Sequence, residues 1–252
     1  PWTTLAAELG MATEAGSWSG WSRSFADGKP LDAEAQARRA AANREVSTLI
    51  DERDVDSDDL SFAEAVAAGS PEARTIALQR AQMAMGDEPA LISVAEWQEL
   101  WSGGNLVVPE GYGALAEKAA QGLNVKLSTA VAAIRWDGAG VRVETASGMI
   151  SARAAVITLP IGVLQKGGVS FTPRLPSHIQ RGLEGLTMGA LTKIALAFDP
   201  ARFRPEIAGG FADLTDGSAM AVQMTPFGRP LVICHIGGDK ARALVAEGEA
   251  AA

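Results

Sequence analysis

The chain has 252 residues, 47% of them hydrophobic and 21% charged, with a formal net charge of −8. That length allows one or two domains with a sizeable core, and the acidic balance argues against a nucleic-acid-binding surface. A single cysteine, Cys234, excludes an internal disulfide framework and any CxxC motif, and two distant histidines, His178 and His235, offer no metal-ligand cluster. Both histidines read as structural or surface groups. No apolar run reaches the ~18 residues of a membrane span and no signal peptide is visible, so no membrane partner is expected. The lone cysteine is compatible with a cytoplasmic location. The start at Pro1, directly in a helix-like segment, suggests a piece of a longer polypeptide or a processed product.

The first hundred residues read as helices with short caps. One runs from Thr3/Thr4 to Leu9 and stops at Gly10, before a Trp/Ser/Gly-rich loop holding Trp18 and Trp21. Asp32 caps a long helix whose Ala42, Val46, Leu49 and Ile50 form one stripe. The acidic run Asp51–Glu64 reads as a solvated loop and helix start. Ser61-x-x-Glu64 and Ser93-x-x-Glu96 are capping boxes, and Ser70-Pro71 is an N-cap followed by proline. Stops come at Gly69, Gly86 and Gly103-Gly104.

The pattern changes at Asn105. NLVV reads as a strand, PEGYG as a turn, and Ala114–Gln121 as a helix closed by Gly122. GYGALAE is read as structural turn chemistry rather than a phosphate loop. Val125–Leu127 leads into strand-like Val131–Trp136, followed by Val141–Thr145 and Met149–Ala152, with turns at Asp137–Gly140 and Ser147-Gly148. That pattern predicts an antiparallel meander. Ala154–Thr158 is apolar except for its last residue, which suits a central strand covered on both faces and ended by Leu159-Pro160. Open α/β sheets place ligands at such a strand end. After a Pro-rich stretch and a helix around His178–Leu183 comes LEGLTMGALTKIALAF, a strand with one lysine. Alternation puts Thr192, Ile194, Leu196 and Phe198 on one face and Lys193, Ala195 and Ala197 on the other. The methyl-sized neighbours leave room beside Lys193 for something flat. Taken alone, the lysine reads as an edge-strand guard against aggregation, a reading that the rest of the sequence overturns. Ala219–Met224 and Leu231–Ile236 form two more strands around PFGRP, and a final helix starts near Lys240.

Read together, VVPEGYGALAEKAAQGLNVKLSTAVAAIRW, ARAAVITLPIGVLQ, FTPRLPSHIQRGLEGLTMGALTKIALAF and HIGGDKARAL resemble the flavin-dependent amine oxidases. The blocks cover roughly residues 105–245, and PEARTIALQRAQMAMGDEPALISV is similar to the bacterial flavin monoamine oxidase branch. The resemblance implies FAD as cofactor and a small amine and O2 as substrates. It assigns Lys193 to the lysine that holds a water against flavin N5. Val131 would meet the adenine end through its backbone, Thr158, Leu159 and Pro160 would line the ribityl and phosphate path, and Phe211 would face the substrate cavity. Neither the family's opening GxGxxG segment nor its C-terminal flavin block is found. The fold expected is therefore mixed α/β: a partial Rossmann-like FAD-binding domain with a β-meander, and a substrate domain of helices with a mixed or antiparallel sheet. Residues 1–104 would be the helical part of the substrate domain, 105–180 the middle flavin segment and 181–252 the sheet part. The missing flavin-domain segments would come from the same or a partner chain. A non-catalytic remnant of the fold, or a related flavin oxidoreductase acting on a carotenoid or porphyrinogen, remain alternatives on these residues.

Overall fold

Side-chain caps fix the helix starts of the first hundred residues. The computed structural model describes residues 2–16, 23–54, 59–100, 106–203 and 205–248. The expectations for Trp18, Trp21, Gly103-Gly104 and Asn105 lie outside them. The first elements are α1 (Trp2–Glu8), β1 (Glu14–Ala15), β2 (Arg23–Ala26) and β3 (Lys29–Pro30). Helix α2 (Ala33–Val46) starts where the Asp32 carboxylate accepts the Ala35 N–H at 2.8 Å, and it runs on into a π-helical turn, Ser47–Asp51. Next come α3 (Phe62–Ala65), with the full Ser61/Glu64 capping box, and α4 (Pro71–Met85), capped by Ser70 and closed by left-handed Gly86. Then follow α5 (Val94–Glu99), β4 (Leu106–Val107) and α6 (Tyr112–Ala119). The predicted stripe is the core: Ala42, Val46 and Ile50 pack with Phe62, Ile76, Ala77 and Val94, and Leu49 lies against them.

The meander follows as β5 (Val131–Gly138), β6 (Gly140–Thr145) and β7 (Gly148–Ala152), then α7 (Ile161–Gln165), β8 (Ser170–Thr172) and α8 (Ser177–Glu184). These strands make a four-stranded sheet ordered β7-β6-β5-β8, antiparallel except for the parallel β5–β8 pair. The chain ends with β9 (Leu191–Ala197), β10 (Gly209–Asp213), β11 (Ala219–Met224), β12 (Leu231–Gly237) and α9 (Gly238–Glu247). They build a six-stranded mixed sheet, β3-β2-β10-β11-β12-β9, in which β2 pairs parallel with β10. Two compact units result, residues 1–115 with 189–252, and residues 116–188, the division falling inside α6.

Two expectations fail. Val125–Leu127 forms no strand and is exposed. Ala154–Thr158, expected as a buried central strand, forms no strand either, and Val156 is 90% exposed. Ala155 and Ile157 line a hollow with Ile134, Trp136 and Phe171, so the segment is covered on one side only. Apolar composition states that burial is favourable but not which segment supplies it. The short strands β2, β3 and β10 had no period long enough to read.

In the first unit, backbones touch where α4 ends. The Ala190 N–H donates to the Gly86 carbonyl at 2.6 Å, and the Gly238 N–H donates to the Ala190 carbonyl at 3.0 Å. A Cβ on Gly237 would overlap the Gln82 carbonyl, and one on Gly189 would overlap that of Met85. Glu88 Oε1 accepts from Gln82 Nε2 at 3.0 Å and from the Asp239 N–H at 2.9 Å. Gly237→Ala should therefore lower stability by about 3 kcal/mol, since the obstructing atom is backbone. Gly182→Ala, on an open position of α8, should be neutral or stabilising by up to about 1 kcal/mol. Denaturant midpoints check both, and equal effects would refute the tight approach at Gly237.

The β10–β11 connection is held by Asp216, which accepts from the Ser218 hydroxyl, the Ser218 N–H and Lys240 Nζ. The Ser218 hydroxyl, first among these, holds its carboxyl well below the usual 3.8, at about 2, against the opposing effect of partial burial. A depressed carboxylate stabilises the fold above its unfolded pKa and ceases to as pH falls through the folded value. The stability gap between wild type and Asp216→Asn should be full at neutral pH, shrink below 3.8 and vanish near about 2. A gap independent of pH would contradict this.

Candidate functional site

Register, rather than sequence distance, assembles the site in the first unit. Lys193 on β9 lies directly opposite His235 on β12, His235 opposite Ala221 on β11, Ala221 opposite Phe211 on β10, and Phe211 opposite Ser24 on β2. Paired residues share a face, so Lys193 and Phe211 stand on one side of the sheet. At ~4.8 Å per strand their Cα atoms are about 14 Å apart. Ala221 gives the stretch between them a low floor. Helix α4 packs on this same face, because its Gln82 carbonyl abuts Gly237, two residues beyond His235. A cavity of about 490 Å³ lies between the face and the helices, lined by Ser24 and Phe211 below and by Gln36, Arg39, Ile76 and Gln79 above.

Lys193 is exposed, and β9 is the sheet edge among the described strands. No carboxylate of the described residues forms an ion pair with it. His235 is half-buried, and burial first, then the Lys193 charge, pushes its pKa below the usual 6.5, so it is neutral at pH 7. Cys234, on the opposite face, is buried, and burial raises its thiol pKa, which makes it an inert packing group.

The cavity wall contains a closed polar network. Arg39 Nη1 donates to both Asp213 oxygens at 2.9 and 3.0 Å, and its Nη2 donates to Gln79 Oε1 at 2.6 Å. Gln79 Nε2 donates to Asp213 Oδ1 at 3.1 Å and to the Gly217 carbonyl at 3.2 Å. The carboxylate is thus committed to Arg39 and tethers α2 and α4 to β10.

The second unit holds the other sequence-predicted residues. Val131 opens β5 opposite Thr145, half-buried. Thr158 and Pro160 are exposed and Leu159 half-buried, and Pro160 stands at the N-cap of α7. Tested against a flavin, these residues fit one flank of it. The uncovered Val156 side chain offers apolar contact, and Thr158 and Pro160 form an exposed corner. No GxGxxG for a pyrophosphate occurs in the sequence. Sequence reasoning missed His235, Arg39 and Asp213, because only strand pairing brings His235 beside Lys193. Among the described residues no cluster of His, Cys, Asp or Glu could hold a metal ion, and no helix is long and apolar enough to cross a membrane.

One unit is a helix-covered mixed sheet with a lysine and an aromatic on the same face, the other a meander sheet, and together they have the mixed α/β fold class of flavin amine oxidases. The model for flavin containing amine oxidoreductases matches residues 5–251, and the chain belongs to that family. Membership implies an FAD cofactor. Among curated proteins it is similar to polyamine oxidase 4 of Oryza sativa subsp. japonica, 36% identical over 111 residues, covering 43% of this chain and 23% of that one. It is also similar to lysine-specific histone demethylase 1B of Mus musculus, 32% identical over 132 residues, covering 50% and 16%. Among solved structures, a putrescine oxidase aligns over 96% of this chain and 63% of its own with a TM-score of 0.72 and 15% identity. Cyclohexylamine oxidase from Brevibacterium oxydans IH-35A aligns over 98% and 64%, with a TM-score of 0.72 and 18% identity. The chain spans less than two thirds of these structures and a smaller share of the curated relatives.

Arg39→Met should cost about 2 kcal/mol, since it strands the part-buried Asp213 carboxylate. Arg39→Met combined with Asp213→Leu should recover part of that loss in urea titrations. An uncompensated double variant would show that the pair does not act as a unit.

Proposed function

We propose that the protein to which this chain belongs oxidises a small amine with FAD, and that this chain supplies most of the substrate site and one flank of the flavin site. The further flavin-domain segments would come from the same or a partner chain, covering Val156. The observation that most supports the reading is the common face of Lys193 and Phe211, with the cavity between that face and α2 and α4. When bound, FAD supplies the acceptor for a hydride from the amine α-carbon and passes the electrons to O2, with H2O2 released. The imine left behind is hydrolysed by water.

This chain's residues position the reactants. Phe211 and the Ala221 floor favour the hydrocarbon part of the amine. Lys193 carries a compact ammonium with three donors, suited to orienting one water at the reacting edge and to stabilising negative charge as oxygen is reduced. Asp213 does not serve as a base, because Arg39 occupies both its oxygens. Thr158, Leu159 and Pro160 would line the ribityl and phosphate path, and Val131 would meet the adenine end.

Lys193→Met in the flavin-loaded protein should retain the visible flavin spectrum while slowing amine-driven reduction or reoxidation by O2 by at least about tenfold. Stopped-flow rates equal to wild type would remove Lys193 from the reaction. Peroxide release with a polyene and none with primary amines would replace the amine by another reductant.

A further inference from the structure

Two side-chain polar atoms of the described residues are buried with no hydrogen-bond partner, Gln82 Oε1 and His235 Nε2. Gln82 belongs to the junction at the end of α4, where its amide nitrogen is already held by Glu88. His235 is different, because it stands directly opposite Lys193 on the neighbouring strand. On its face its neighbours are Lys193 and Ala221 across the ladder and Ile233 and Gly237 along the strand. Ala221 carries only a methyl group on one side of the imidazole, while on the strand the Gln82 carbonyl of α4 stands over Gly237. Buried polar atoms are paired in nearly all native structures, so an unpaired Nε2 at this place in the sheet asks for a partner. A second cation beside Lys193 would be unfavourable, so the ring stays neutral and one of its nitrogens carries a lone pair.

We propose that His235 is a substrate-positioning residue: its Nε2 accepts a hydrogen bond from the N–H of the bound amine and holds that nitrogen one strand away from Lys193. The proposal rests on the amine-oxidase reading and adds to it the group that recognises the amine. An N–H donor is the chemistry that fits, because the unprotonated amine offers it and Nε2 is an acceptor in the Nδ1–H tautomer. Lys193, a donor only, cannot accept that hydrogen bond.

The test uses the complete flavin-loaded protein. His235→Phe should raise KM for a primary alkylamine about tenfold with kcat changed less than threefold, and His235→Gln, whose amide reaches the position of Nε2, should restore most of the loss. Equal KM in all three proteins, or His235→Phe behaving no differently from His235→Gln, overturns the proposal. If His235→Phe does not fold, the wild-type protein decides. With 15N-labelled histidine, the Nε2 resonance of His235 should move on adding the alkylamine under anaerobic conditions, and an unmoved resonance refutes the contact. A moving resonance without peroxide formation on admitting air would uphold the contact and refute the oxidase reading instead.

Discussion

Backbone meets backbone where the last turn of α4 crosses the start of β9 and the end of β12. No side chain separates Gly237 from the Gln82 carbonyl or Gly189 from that of Met85, and the Ala190 and Gly238 amides close the junction. Hydrogen bonds between main-chain groups fix position in a way that apolar packing does not, because a slip of one residue would leave them unmade. The junction pins β9 against β12, and with them the pairing of Lys193 with His235. It also sets α4 over that same face, whose cavity lies toward Ser24 and Phe211. Arg39 and Asp213 do the equivalent work at the far end, where α2 and α4 meet β10.

Much of this was legible in the sequence wherever a local rule decided the outcome. The caps at Asp32, Ser61 and Ser70 and the stripe Ala42–Ile50 are local chemistry, and the structure carries them out. The meander was legible because its turns are glycine turns at short spacing. The Lys193 strand was legible because its alternation is clean. Ala154–Thr158 was misjudged because apolar composition favours burial without naming the partner, and its own sheet meets only Ala155 and Ile157. His235 was passed over because nothing in HIGG indicates which residue of another strand it will face.

Within the first unit, the same sheet face gathers a cation, an imidazole, a methyl floor and an aromatic ring in successive strands. Such a gradient from polar to apolar is what the proposed amine substrate, polar at one end and hydrocarbon at the other, would require. The second unit offers a complementary kind of surface, apolar and uncovered at Val156, beside the exposed Thr158–Pro160 corner. Family membership implies the FAD cofactor; that the first surface serves the amine and the second the flavin is our proposal.

The most direct measurement is a crystal structure of the complete protein with its flavin and a slow amine analogue. The account predicts the isoalloxazine edge in front of the β9–β12 pair, a single water bridging the Lys193 ammonium and N5, and the analogue lying over Ala221. A ring seated on the Cys234 face of the sheet, or away from β9 altogether, would contradict it.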